Sequence, residues 1–538
     1  MKKHSIDVVV FLKFFVVFLC LSLFVSLMPS LGVAYDFDAS FIGGIGQNGV
    51  PKNAVHIQTA AQLANIGGIQ SEGKYYVLDN DINLVTEWVP IDDFRGTFDG
   101  QGYSINGLYV LERSKRWAAG LFGQVNVDGV AIKNVGVNIH SKGLTASAPS
   151  SPEQYDDIFV EGLSRTYPAY VGGLIGLSSG GVSVVNCYVT GDVTAVAISP
   201  SLSWLVYAGG LVGYNYGSTV VEHCYVMGDV AAVVEGSFVG AYVGGLVGSN
   251  YGHVSVVNSY TMGDITISAG SGFAGGLVGG SGFSGVSVVN CYATGDITVT
   301  VAGAVCVGGL IGESWGGGIV VMNSYATGDV TASSSDDTGF LGAIAGGLVG
   351  RGAEAIMNSY ATGDVVAIAT SGHGCAGGLV GAIVDVNVAN SYATGDISAS
   401  GSDGAYVGGL VGLCENVVAK NSYRLSTQKI TGATINDAGK PLSSEEMKNQ
   451  QSFVGWNFRD IWAIDADVNE GYPYLTMALI MGDEGDLFGS FWFVTLLLLL
   501  VGVIVVVVLF FCFSRRRKQC AVVDGGLLNS GGSLEGYV

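Results

Sequence analysis

Gly346-Gly347-Leu348-Val349-Gly350, followed shortly by Asn358-Ser359-Tyr360-Ala361-Thr362-Gly363-Asp364, decides the fold, because both phrases return along the chain. The glycine pair opens a unit at Gly172, Gly209, Gly244, Gly275, Gly308, Gly346, Gly377 and Gly408, at spacings of 31 to 38 residues. Aspartate closes the units at Asp192, Asp229, Asp264, Asp296, Asp329, Asp364 and Asp396, and the last copy lacks it. A unit this short cannot bury a core alone, so neighbours must stack into a solenoid.

Helical repeats of this length would place apolar residues every three or four positions. These units instead carry Val, Ile, Thr and Tyr in short runs cut by glycine pairs and Gly-Asp turns, the pattern of short strands. Glycine, at 84 of 538 residues, would ruin helices but suits a coil that turns several times per rung. The expected fold is all-β, a parallel β-solenoid.

Aligned units turn letters into columns. Val184, Val221, Val256, Val288, Val321, Ile356 and Val388 form an apolar column expected in the core. The next position holds Val185, Glu222, Met322 and Lys420 among others, a mixture that only an outward column tolerates. Then come Asn186, Asn258, Asn290, Asn323, Asn358, Asn390 and Asn421, with His223 in one copy. At about 4.8 Å between rungs such amides can bond to one another as an asparagine ladder. Tyr188, Tyr225, Tyr260, Tyr292, Tyr325, Tyr360, Tyr392 and Tyr423 should stack likewise, their facing left open by the bend at Asn.

The GGLVG, N-S-Y and A-T-G-D words resemble the GLUG-motif repeats of bacterial and archaeal surface proteins. Thr59 to Ala64, Tyr75 to Ile82, Trp88 to Ile91, Gly96 to Gly102 and Gly120 to Gly123 resemble that family's opening segment, and Phe453 to Phe458, Ile461-Trp462 and Gly471 to Leu475 its closing one. The resemblance spans roughly Val55 to Leu475. It implies a right-handed parallel β-helix displayed outside the cell, in a family that includes adhesin-like proteins and accessory regions of immunoglobulin A peptidases and whose own activity is mostly undefined.

Both ends of the chain point to a membrane. Lys2-Lys3, an apolar stretch from Phe14 to Leu27 and small residues before Ala34 read as a signal peptide over 1–34. Phe491 to Phe513 is an apolar run of spanning length, followed by Arg515-Arg516-Arg517-Lys518, which predicts a C-terminal transmembrane α-helix over 491–513 and a cytoplasmic tail over 514–538. The expected topology is type I, single-pass, with the array extracellular. Between these signals the reading places an opening region with its cap at 35–143, an insertion loop at 144–171, eight repeats at 172–423, a closing cap at 424–478 and a juxtamembrane link at 479–490. The Gln58 to Ile66 segment, read as a helix, and the Trp456 to Tyr474 aromatics should cap the solenoid ends.

The net charge is -21, and from Gly172 through Leu413 the only Lys or Arg is Arg351. Nucleic acid is thereby excluded as a partner, since phosphate chains need clustered cations. The Asp column is expected to cap its own turns by accepting backbone N–H groups; calcium held by Asp192, Asp229, Asp264, Asp296, Asp329, Asp364 and Asp396 is the alternative. No catalytic residue is assigned: the six histidines are scattered, no His-Glu-x-x-His or Gly-x-Ser-x-Gly occurs in context, and a uniform column lacks the asymmetry of an acid–base pair. No cofactor is expected. Cys187, Cys224 and Cys291 stand where other units have Ser, so a small side chain is required there; Cys187 and Cys224 are close enough for a bridge.

Tyr216, Tyr251, Phe283 and Trp315 follow their openers by seven or eight residues and form a candidate ligand-binding aromatic stripe. The alternative is that these rings pack on one another. The function expected is a non-enzymatic, membrane-anchored adhesion or surface-interaction role, toward a glycan or protein on another surface. A carbohydrate-active β-helix enzyme, lyase or glycosidase-like, is the competing reading and would require a local break in the repeat.

Overall fold

The computed structural model describes residues 50–111, 117–146, 168–198, 205–235, 240–316, 318–335 and 341–476. The stretches read as signal peptide (1–34), juxtamembrane link (479–490), transmembrane helix (491–513) and tail (514–538), and most of the 144–171 loop, lie outside them. Among the described residues no helix is long and apolar enough to cross a membrane.

One coil shows the plan. Leu341–Gly346 forms a first face, Val349–Arg351 and Ala353–Met357 a second, and Tyr360–Ala361 with Val365–Ala369 a third. The chain then re-enters the first face at His373–Gly377, directly beside its predecessor. Every pairing between coils is parallel, and equivalent letters meet: Gly308 pairs with Gly346, Val321 with Ile356, Tyr325 with Tyr360. Among the described residues the first face collects ten strands. Nine steps of about 4.8 Å make that face about 43 Å long.

The opening region belongs to the same stack. Val55–Ile57 pairs with Tyr76–Leu78, and Val130–Lys133 with Val182–Val185 across the long insertion. The capping helix is shorter than Gln58 to Ile66: it spans Ala60–Leu63, with Thr59 and Gln62 forming a reciprocal capping box and Leu63 driven into the core. At the far end the coil runs past Tyr423, since Lys440–Leu442 still pairs with Tyr423–Leu425.

A single apolar core runs the length of the stack. Val184, Val221, Val256, Val288 and Val321 are fully buried, as is the Leu of every Gly-Gly-Leu corner from Leu174 to Leu410. The glycine pair is forced by close approach: a Cβ at Gly309 would lie 2.0 Å from the Gly347 carbonyl oxygen and 2.7 Å from the Ala326 methyl. No side chain fits there.

The asparagine ladder is present. Each Asn sits at the bend between second and third faces with φ between 49° and 55°, the left-handed region that Asn tolerates better than most residues. Asn290 donates to Asn258 at 3.0 Å, Asn323 to Asn290 at 3.1 Å and Asn358 to Asn323 at 3.0 Å, and the His223 ring takes its place beside Asn258 at 3.1 Å. The next residue points inward, where Ser359 Oγ donates to the Met357 carbonyl and accepts the Ser324 N–H. Cys187 and Cys224 fill the same column as free thiols, with the Cys187 N–H on Cys224 Sγ at 3.4 Å.

Alternation resumes after the bend, so the tyrosines face outward. Their rings stack at centroid distances of 4.7 to 5.2 Å and interplanar angles of 1° to 9° from Tyr188 to Tyr392. The closing aromatics pack along the flank of this column. Trp456, Trp462 and Phe453 lie against Tyr360, Tyr392 and Tyr423, and the Tyr392 hydroxyl donates to the Pro473 carbonyl at 2.6 Å. Stacked rings offer a continuous apolar wall along the flank, whereas the last coil itself is polar and exposed around Lys429, Thr434 and Lys440.

The aspartates also differ from expectation in one respect. Each carboxylate accepts the backbone N–H of the aspartate one coil further on, not an N–H of its own turn: Asp329 N–H bonds to Asp296 Oδ1 at 2.8 Å and Asp364 N–H to Asp329 Oδ1 at 2.8 Å. The series ends when Asp396 caps Lys429 at 2.9 Å. In-register stacking sets each of these backbone donors against the carboxylate one coil back.

Candidate functional site: the outer corner at Glu313

Where the first face meets the second, the Gly-Gly-Leu corner brings their outer surfaces together. The groove between them is filled by side chains that do not belong to the main core. Toward the N-terminal end Tyr170, Tyr207 and Tyr214 pack there with Leu177; further on Phe273, Cys306, Ile344 and Cys375 take over. The Tyr207 and Tyr214 rings, one from each face, are 4.5 Å apart.

Glu313 breaks this apolar filling. Strand register places it between Gly280 and Arg351 on neighbouring coils. It is 1% exposed. Burial pushes its carboxyl up to about 7, against the opposing influence of the Trp315 indole bond, the Arg351 charge, and contacts with Cys306 and Tyr242. Burial and the Glu313 charge together hold the Tyr242 hydroxyl and the Cys306 thiol in their neutral forms well above their ordinary ranges. Gly280 makes room for Tyr242, since a Cβ there would stand 2.7 Å from the ring.

The aromatic stripe converges on this corner only in part. Trp315, 61% exposed, donates its indole N–H to Glu313, and the Arg351 guanidinium lies 5.2 Å from the centre of its ring. Tyr251 and Phe283 are 50% and 66% exposed and meet edge to face at 5.4 Å. Tyr216 is half-buried and turned edge-on against Tyr214 at 4.8 Å. The backbone places Gly282, not Phe283, in line with Tyr251 and Trp315: Gly282 N–H bonds to Asn250 O and Trp315 N–H to Ser281 O. Three rings are therefore surface features, and the fourth is packing.

Glu313 and Arg351 were not singled out as a pair in the sequence. The signal is nonetheless there, in a column that reads Tyr214, Ser249, Gly280, Glu313, Arg351 and Ala382. Charge occurs twice in that column, on consecutive coils. The Asn ladder likewise extends one rung beyond Asn186, which donates to Asn134 at 3.1 Å, and Asn134 in turn donates to Asp99 at 3.0 Å. Among the described residues no group of three His, Cys, Asp or Glu side chains is placed to hold a metal ion.

Stack, ladders and corner define a parallel β-solenoid repeat protein. Three stretches of the array, residues 167–194, 206–231 and 303–331, match the GLUG motif. The chain is 33% identical over 188 residues to a protein of Evansella cellulosilytica described as a "Putative Gly-rich membrane protein", a match that covers 32% of this chain and 18% of that relative. The chain thus spans under a fifth of that relative's length. A crystal structure of a "putative immunoglobulin A1 protease" from Bacteroides ovatus overlaps 79% of this chain and 92% of its own at 18% identity and a TM-score of 0.33; the fold assignment rests on strand register and not on that likeness.

Proposed function

We propose that the chain is a membrane-anchored surface protein whose solenoid is a non-enzymatic interaction module, serving adhesion. The observation that carries this reading is the set of rings Tyr251, Phe283 and Trp315, each at least half exposed on consecutive coils of an otherwise rigid wall. Rings held on a rigid scaffold lose little entropy when they bind. The apolar run over 491–513 with its basic flank, and a relative described as a membrane protein, support anchoring. In this reading the coil is right-handed, the array extracellular and the tail cytoplasmic.

One observation favours the competing enzyme. A buried carboxyl that ionises near 7 is what a general acid needs, and Glu313 is such a group. A glycosidase also needs a second carboxyl at about 5 to 9 Å. The two readings separate in one experiment: cells displaying the full chain are offered immobilised polysaccharides, with wild type compared against a Tyr251→Ala/Phe283→Ala/Trp315→Ala variant and Glu313→Gln. Retention that falls with the ring variant and no release of reducing sugar support the interaction module; sugar release abolished by Glu313→Gln replaces it with the enzyme.

A further inference from the structure

We propose that Arg351 and Trp315 form a binding site for a carboxylate-bearing sugar, the guanidinium taking the carboxylate and the indole ring the apolar face of the sugar. The inference rests on the surface-interaction reading and specifies the ligand class. Arg351 is the only Lys or Arg from Gly172 through Leu413 in a chain of net charge -21, and it stands beside the exposed ring of Trp315. Among the described residues no acidic side chain makes an ion pair with it. A guanidinium presents a planar fork of donors that matches one carboxylate. Polyanions with many charges need many cations and meet a repelling field here, so a single carboxylate on an otherwise neutral sugar is the fitting charge.

The floor of the site is built. Glu313 is buried at the edge of the Trp315 ring and accepts its indole N–H, which orients the ring. A Cβ at Gly316 would stand 3.0 Å from the Phe283 ring, so Phe283 extends the apolar surface next to Trp315. Glu313 also sets a pH dependence. The groups facing it are Tyr242 and Cys306 from the first face, with Trp315 on its own coil and Arg351 on the next. Tyr242 and Cys306 stay neutral across the physiological range. Above about 7 the Glu313 carboxylate shares the field of Arg351 and repels a second carboxylate; below it the competition is lifted.

The test uses the full chain in detergent micelles and three probes: a glucuronate-terminated oligosaccharide, its glucose-terminated analogue, and inorganic phosphate as competitor. Binding is read by calorimetry and by Trp fluorescence. The expected result is that the acidic probe binds at least about tenfold more tightly than the neutral one, as one charged hydrogen-bonded pair supplies. Arg351→Gln should remove that preference and Arg351→Lys restore only part of it, with thermal melts showing both variants folded. Affinity should rise from pH 8 to pH 6 in wild type and be flat in Glu313→Gln. Equal binding of both sugars, unchanged binding by Arg351→Gln, or full competition by phosphate at equal concentration would overturn the assignment. If Tyr251→Ala/Phe283→Ala weakens binding of both sugars equally while Arg351→Gln does nothing, the surface-interaction reading stands and this one fails.

Discussion

The Asn134 amide donates to the Asp99 carboxylate at 3.0 Å, and there the asparagine ladder ends. Asp99 also accepts the Gln101 N–H at 3.0 Å and the Tyr75 hydroxyl at 2.6 Å, with the Lys133 ammonium 3.5 Å away. Burial works against its charge, yet these donors and Lys133 hold the carboxyl below its ordinary range. A folded-state value below the unfolded one contributes stability that is fully present above the unfolded value of 3.8, begins to fall there, and is lost as pH drops through the lower folded-state value. Asp99→Ala should therefore cost about 3 kcal/mol at pH 7 by leaving buried donors unpaired, and the wild-type advantage should shrink toward pH 3 in chemical denaturation.

Within the ladder, backbone strain and hydrogen bonding can be measured separately. Asn323 has φ of 50° and bonds to Asn290 and Asn358. Asn323→Gly keeps the backbone conformation and loses both bonds, an expected cost of about 2 kcal/mol; Asn323→Ala adds about 1 kcal/mol for the left-handed residue. Amide hydrogen exchange should show the loss concentrated in the coils on either side, as nearest-neighbour stacking requires.

Glycines in this chain are not equivalent. Gly309→Ala would force a methyl into the Gly347 carbonyl and should abolish folding or lower the melting temperature by more than about 10 °C, an order-of-magnitude expectation for severe overpacking. Gly181 has its nearest neighbour at 3.5 Å from a built Cβ. Gly181→Ala should leave the melting temperature within about 2 °C of wild type.

Glu313 works in the opposite sense to Asp99. Its folded-state carboxyl ionises near 7 rather than at the ordinary 4.5, so the native state holds its proton longer and the fold loses stability as pH rises through that window. The full loss is about 3 kcal/mol. Glu313→Gln should remove this decline, so that the variant is more stable than wild type at about pH 8 and similar to it at about pH 4.5 in urea titrations.

Much of the fold could be read in the letters because an in-register stack converts sequence period directly into contact. Val321, Asn323, Ser324 and Tyr325 each meet the residue at the same position of the preceding coil, so an alignment of repeats is already a contact map. The reading stopped wherever side chains from different faces meet. Tyr216 turning onto Tyr214, Trp462 lying along the tyrosine flank, and Glu313 at the edge of the Trp315 ring all depend on the angle between sheets. Spacing within a unit does not carry that angle.

The Asp column illustrates the same boundary at smaller scale: the letter foretold a capped turn, and only the stack decided whose N–H each carboxylate takes. What the chain determined by itself was the period, the inward and outward columns and the need for glycine at each corner, because these follow from strand alternation and from rungs about 4.8 Å apart. What tertiary structure alone decided was the outer groove, where two faces fold toward each other and bury an acid next to the array's sole arginine. Burial is a property of the assembled coils, and it is burial that gives Glu313 its altered ionisation.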